Sequence, residues 1–426
     1  MQRLKKLFIF FIINQNLNIL FANEATTLQN TLETIQDHVS TQRLPGVIFS
    51  ETTHKKSDHI FDGRRNILKS DAIQKDELFP IASLSKIFTS ILILQEVEAG
   101  KLSLETKVKE LFQTPTHEEY ENLKVKDIMY HHGGFPVDDE DINPQDFQKY
   151  SRSRKNLSEY FLTHGPYYPL NKSHYSTYGY VVLGAILEEI EKKSWEEIVT
   201  ERLLTPLKLD SCRFALDSTL YSKKPGIKLP ILLQKDYENL LNGHYKLHRK
   251  VDWMPVSIKE RAHPPLDNPG AGLFCKIHDI HKFVHAQLDG YKYYLDNPFG
   301  ENNLPSQKIF KKTSTFQYLF HSPEQNMQSI SHWVLFSQQI EPQKVSTACA
   351  YGSSGGTAIV TCFDLNQNKV ASAFANAWSD KVFGDLQNIL NTALQNKLFL
   401  KHLNPNILPR VSSFMNSASK FTSNRN

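Results

Sequence analysis

Between Ile87 and Leu94 the chain is apolar at six of eight positions, and the run stops at Gly100. This run, IFTSILILQEVEAG after Pro80, predicts a helix buried on most of its circumference rather than along one stripe. Other stretches are one-sided. Leu28, Leu32, Ile35 and Val39 recur at helical spacing over 26–41. YGYVVLGAILEEIEKK, SWEEIVTERLL and KIHDIHKFVHAQL also read as helices, as does 380–398. Strand patterns occupy both ends: LPGVIFSETTH and HIFDGRRNIL early, then SHWVLFSQQI, KVSTACA, GTAIVTCFDL and KVASAFANAW late. Strands at both ends with helices over 83–290 predict an α+β fold. Its antiparallel sheet is assembled from N- and C-terminal segments and flanked by helices, with a helical subdomain inserted between them.

One feature of the central helix disagrees with burial. Ser83, Ser85 and Lys86 crowd its first turn. Residues three apart lie on one helix face, so the Ser83 hydroxyl and the Lys86 amine point the same way. Apolar surroundings lower a lysine pKa and make it a base, and a helix N-terminus offers N–H groups to an oxyanion. Ser83 as nucleophile and Lys86 as its base is the catalytic reading; an N-cap beside a solvated lysine is the plain one. The spacing alone does not decide, because Ser417-Ala418-Ser419-Lys420 repeats it in the polar tail.

Composition narrows the class. The 426 residues carry a net charge of +4, of which Arg3, Lys5 and Lys6 supply three. Those three head MQRLKK-LFIFFIINQNLNILF-ANEA, which reads as a signal peptide over 1–22, with an uncleaved anchor as the alternative given the asparagines in its apolar stretch. Without it the protein is nearly neutral, so nucleic acid is not an expected partner. No apolar run reaches a membrane span of ~18 residues, so stable membrane insertion after leader removal is not expected. Secreted or periplasmic localisation follows. Cys349 and Cys362 flank a Gly/Ser turn between two strands, either as a cross-hairpin disulfide or as free buried thiols; no CxxC pair suggests zinc. His278, His281 and His285 share a helix face, but the packing face opposite makes them solvated residues, and no metal or cofactor is expected. The run DDEDIN at 138–143 reads as an exposed loop.

Order along the chain adds more than any single motif. FPIASLSKIFTSILILQEVEAGKLSLETKV, LKVKDIMYHHGGF, HYSTYGYVVLGAILEEI, LLTPLKLDSCRF and NPGAGLFCKIHDIHKFVHAQLDG resemble, in sequence, motif regions of the serine β-lactamase-like family. That family includes class C β-lactamases, DD-peptidases and related esterases. The Tyr175-Ser176-Thr177 motif is similar to that of its mitochondrial branch. The resemblance spans 26–398 and implies a β-lactamase/DD-peptidase-like domain, with an α/β part at 26–80 and 300–398, a helical part at 83–290, and a polar tail at 399–426.

It further implies that Ser83 is an acylated nucleophile, Lys86 its proton acceptor or relay, and Tyr175 a partner base whose proton is labile only beside a cation such as Lys86. His131 becomes structural. Gly352, Ser353 and Tyr351 fall on the strand that closes the site, and the amides of Ser83 and Ser353 are the oxyanion-hole candidates. Two positions depart from the family pattern. Thr177 stands where asparagine is usual and reaches less far. Ala350 stands where a cation is usual, which disfavours substrates with a recognised carboxylate. The expectation is a serine hydrolase acting on an ester or a peptide or other amide, more an esterase or peptidase than a β-lactamase. A non-catalytic relative binding peptidoglycan or a protein partner in the cleft is the alternative. Substrate shape would come from the loops at 136–172 and 225–268.

Overall fold

The computed structural model describes residues 26–170, 172–214, 242–245, 254–257, 265–297, 309–320, 329–330, 333–336, 347–379 and 381–394. The leader, the polar tail and much of the 225–268 loop lie outside them. Among the described residues no helix is long and apolar enough to cross a membrane.

Seven antiparallel strands form the main sheet. The first two, β1 (Gly46–Thr52) and β2 (Ser57–Gly63), come from the N-terminal segment. β8 (Ser329–Ile330), β9 (Trp333–Phe336), β10 (Thr347–Ser354), β11 (Thr357–Asp364) and β12 (Lys369–Ala375) come from the C-terminal one. Their order is β2-β1-β12-β11-β10-β9-β8, so β1 pairs with β12 and stitches the two ends of the chain together. Sequence pattern follows position in the sheet. β11, TAIVTCFD, is buried at every residue, as a central strand covered on both faces must be. β2 alternates between exposed and partly buried residues, the mark of an edge strand with one wet face.

Two cores sandwich this sheet. On one face, the helix at 26–40 (α1) and Val382–Leu394 (α7) cover Val47, Phe49, Tyr351 and Val360. On the other lies the larger helical body. It contains α2 (Ser85–Glu98), α3 (Arg154–His164), α4 (Tyr178–Glu191), α5 (Trp195–Val199) and α6 (Ile277–Asp296). α2 is buried at eleven positions, from Ser85 to Leu94 and at Glu96, so the nearly all-round apolar pattern reflects a central helix. Gly100, at φ 70°, ends it in the left-handed conformation that glycine adopts without strain. The segment 83–290 also holds strands: β4 (Arg213–Phe214) and β7 (Leu273–Cys275) join β3 (Phe79–Pro80) in a small sheet, and β5 (Asn242–Tyr245) pairs with β6 (Met254–Ser257).

All four cysteines are bonded. Cys349 faces Cys362 directly across β10 and β11, which selects the disulfide from the two readings of that pair. Cys212–Cys275 has no such local signal, since 63 residues separate its ends and only the small sheet brings them together. Closing a loop of that length restricts the unfolded chain, so reduction should destabilise the fold by about 2–4 kcal/mol. Urea unfolding with and without reductant, repeated on Cys349→Ala/Cys362→Ala, isolates the contribution of Cys212–Cys275.

Of the histidines of α6, His278 is exposed as expected, whereas His285 is only partly exposed and His281 corrects the expectation of a solvated side chain. His281 is only 2% exposed and hydrogen-bonds on both ring nitrogens, to Thr52 at 2.8 Å and Ser372 at 2.9 Å. The three do follow helical spacing, but α6 also lies against β1 and β12, so the side carrying His281 is covered too.

Candidate active site

Ser83 lies in a single 3-10 turn, Ala82–Leu84, between β3 and α2 rather than in the α-helix itself. β7 sets up this turn from outside. It pairs with β3, takes a hydrogen bond from Ile81 N at 2.9 Å through Leu273 O, and donates from Leu273 N to Ser85 Oγ at 3.2 Å. The two serines thereby divide their work. Ser85 is fully buried and ties helix to strand, while Ser83 keeps partial access to solvent. Ala82 sits at φ 48°, a strained conformation for a residue with a Cβ.

Three side chains converge on one another. Ser83 Oγ is 2.6 Å from Tyr175 Oη and accepts from Lys86 Nζ at 3.2 Å. Lys86 Nζ also donates to Thr177 Oγ1 at 3.3 Å and to Gly270 O at 2.9 Å. Thr177 therefore reaches the lysine despite being shorter than asparagine. Lys86 has no exposed surface, and burial pulls its pKa down to about 7 against the opposing pull of the Asp267 carboxylate. Tyr175 moves the other way. Burial raises its phenol well above the ordinary value, outweighing the hydrogen bonds from Ser83 and Thr177. Its ring lies 4.8 Å from Lys86 Nζ. The pair consists of a readily deprotonated amine and a protonated phenol.

Each member is fixed by its own scaffold. Residues 174–177 are fastened along 131–137: His174 N to His131 O at 2.7 Å, Ser176 Oγ to Pro136 O at 2.6 Å, and Thr177 N to Val137 O at 3.1 Å. His131 accepts from Ser176 N at 3.2 Å and packs its ring 4.7 Å from Tyr175, adding to the hold on 174–177. The acidic run contributes here too, since Asp141 accepts from Val137 N at 2.8 Å. Lys86 is held by the turn that carries Gly270, whose outer side is clamped by a buried ion cluster. Arg154 donates to Leu266 O at 3.0 Å and, through its two terminal nitrogens, to both oxygens of Glu196 at 2.6 and 3.2 Å; Asn268 reaches the same carboxylate at 2.7 Å. Pro269 O accepts from Thr89 on α2 at 2.6 Å. Sequence reading did not find Arg154, Glu196 or Asn268. They are scattered over more than a hundred positions, and an Arg or Glu near a helix start ordinarily reads as a solvated charge.

β10 closes the remaining side. β9 pairs with it only over Thr347–Cys349, so among the described strands nothing flanks Ala350–Ser354 on that edge. A Cβ on Gly352 would stand 2.4 Å from Ile81 O, so only glycine lets the strand approach the Ser83 turn this closely. Gly352→Ala should push strand and turn apart, destabilising by about 1–3 kcal/mol; reactivity of Ser83 should fall in the fraction that remains folded. Differential scanning calorimetry beside active-site titration measures both. Strand alternation puts Ala350 on the Gly352 face and Tyr351 on the other. Tyr351 packs edge-on against Phe383 of α7 at 5.6 Å, inside the opposite core, and so lies apart from the other site residues. Ser353 is partly exposed at the strand edge.

The β-lactamase family model matches residues 32–394, a span that includes every member of this cluster. The chain belongs to the beta-lactamase family. It is 23% identical over 321 residues to a Salmonella enteritidis protein named as a D-alanyl-D-alanine carboxypeptidase, covering 71% of this chain and 70% of that one. A class C beta-lactamase structure superposes with a TM-score of 0.63 at 18% identity, over 88% of this chain and 98% of that one. The D-amino acid amidase of Ochrobactrum anthropi SV3 gives 0.60 at 16% identity, over 87% and 98%. At these identities the structures show the fold: α+β, of the β-lactamase and penicillin-binding-protein type. Family membership makes the chain a beta-lactamase-related protein of the hydrolase kind.

Proposed function

We propose that the protein is a serine hydrolase that cleaves an ester or a peptide or other amide bond through an acyl-Ser83 intermediate. The observation that carries this is the position of Ser83 Oγ, 2.6 Å from a phenol and 3.2 Å from an amine that burial holds near neutrality. Attack by Oγ on the substrate carbonyl sends its proton to the free amine of Lys86, directly or across Tyr175. Collapse of the tetrahedral intermediate breaks the C–O or C–N bond. Tyr175, protonated and in contact with Oγ, hands a proton to the leaving group and is re-supplied by Lys86. Water then repeats the sequence to release the acid. The amides of Ser83 and Ser353 are the proposed oxyanion donors.

Ala350 supports an esterase or a peptidase of a different recognition pattern over a β-lactamase. A buried methyl group stands where a cation would have to meet a substrate carboxylate. Two disulfides support an exported, oxidising location. The test is treatment of mature protein with a fluorophosphonate probe, adduct mapping by mass spectrometry, and then neutral esters beside D-Ala-D-Ala peptides. An adduct on Ser83 with turnover of neutral esters is expected. A folded protein that acquires no adduct would leave the cleft as a binding site for peptidoglycan or a protein.

The proton acceptor predicts a pH profile. Lys86 must be neutral to act, and its pKa is about 7. Below that value kcat/KM should fall about tenfold per pH unit, and above about pH 8 it should level off. A flat profile between pH 5.5 and 8 for a p-nitrophenyl ester would remove Lys86 as the acceptor.

A further inference from the structure

We propose that His54, His285 and Asp289 form a binding site for a divalent transition-metal ion of the zinc type, separate from the Ser83 cluster. One ligand atom from each lies within 4.8 Å of the other two. His285 and Asp289 are one turn apart on α6, and His54 comes from the β1–β2 hairpin that α6 covers. Two imidazoles and one carboxylate suit a borderline ion such as Zn²⁺ and leave a position for water.

What raises this above a surface His–Asp pair is the hydrogen-bond chain behind His285. Ser372 Oγ donates to Thr361 Oγ1 at 2.7 Å, so towards His281 Nε2, 2.9 Å away, it can only accept. His281 is buried and neutral, its pKa pushed down to about 3 by burial, so a proton on Nε2 leaves Nδ1 as an acceptor. The hydrogen of Thr52 Oγ1 goes to that Nδ1 at 2.8 Å. With its one hydrogen used, Thr52 must accept from His285 Nε2, also at 2.8 Å. His285 is thereby fixed as the Nε2–H tautomer, and its Nδ1 is a bare lone pair. That atom is shielded from solvent and has no hydrogen-bond partner. An imidazole with one nitrogen donating to a fixed acceptor and the other left open is the arrangement of a metal ligand with its outer support. The His54 ring stands 4.9 Å from that of His285, and its Nε2 now donates to Asp289 Oδ1 at 2.8 Å. For metal to bind, neutral His54 changes tautomer, its proton passing from Nε2 to the exposed Nδ1 through solvent, so that Nε2 and Asp289 Oδ1 both turn their lone pairs to the ion.

The test is titration of tag-free, full mature protein with Zn²⁺ by calorimetry, and with Co²⁺ by visible absorption. One ion per chain at micromolar affinity, with the intense d–d bands of low-coordinate cobalt, is expected. His54→Ala and Asp289→Asn change exposed side chains and should each weaken binding more than about 100-fold. Thr52→Val removes no ligand but frees the tautomer, and should weaken binding by roughly 10–100-fold. Ser83→Ala should bind metal like wild type, so loss of the hydrolase reading and loss of this one are distinguishable. No binding tighter than about 100 μM, or equal affinity in wild type, His54→Ala and Asp289→Asn, overturns the proposal.

Discussion

Ser83→Ala should reduce ester hydrolysis by roughly 10³–10⁶ in kcat, and Lys86→Met by a comparable factor. The double variant should be no worse than either single one, because in the proposed mechanism nucleophile and proton acceptor act as one unit and the second removal has nothing left to disable. Stopped-flow or discontinuous assays on the three variants read this directly; additive losses would mean that Lys86 serves some step other than activating Ser83. The same variant has a second expected result, in stability. The folded pKa of Lys86 is about 7 and its ordinary value 10.5, so the unfolded chain binds the extra proton between those limits. Ionised Lys86 therefore opposes folding fully below pH 7, and that penalty fades as pH rises towards 10.5. Lys86→Met should stabilise by roughly 1–3 kcal/mol at pH 6 and by nothing near pH 10. An amine this deep in the core is held against the preference of the fold.

The second large effect concerns a residue that touches neither Ser83 nor Lys86. Arg154→Leu should destabilise the protein by about 3–5 kcal/mol. Glu196 is completely buried, and Glu188, whose pKa burial already raises against the attraction of Arg154, would lose the same partner. Arg154→Leu/Glu196→Leu should recover part of the loss, because it removes the fully buried Glu196 charge and leaves only the partly exposed Glu188 without its cation. A purely structural role would end there, with normal kcat/KM in whatever fraction stays folded. The hydrogen bonds indicate more. Arg154 holds Leu266 O, Glu196 holds Asn268, and the same turn presents Gly270 O to Lys86 at 2.9 Å. In the double variant kcat/KM should remain down by about 10–100-fold, with the apparent pKa of the pH profile displaced, because the lysine has lost a fixed acceptor. Recovery of stability with full recovery of rate would reduce Arg154 to a core ion pair.

Much of this was open to reading along the chain, and the reasons are local. Ser83 and Lys86 are three residues apart, so helical geometry alone makes them neighbours. Tyr175 and Thr177 belong to a short motif that opens α4. The sheet built from both ends showed in the alternation and apolar runs of strands that the tertiary structure then paired. Cys349 and Cys362 flank one hairpin, so their juxtaposition follows from its register.

What the chain could not disclose depends on contacts between distant segments. Cys212 meets Cys275 only because β4 and β7 share a small sheet. Tyr351 lies one residue from Gly352, yet strand alternation turns it into the opposite core. The burial that lowers the Lys86 pKa and raises that of Tyr175 comes from packing on all sides, as does the ion cluster behind Gly270. His281 looked solvated because helical periodicity locates faces without saying how many of them are covered. Sequence determined which residue types stand at fixed spacing and hence the elements and the Ser83–Lys86 pair. Tertiary structure alone decided solvation, and with it which groups hold protons.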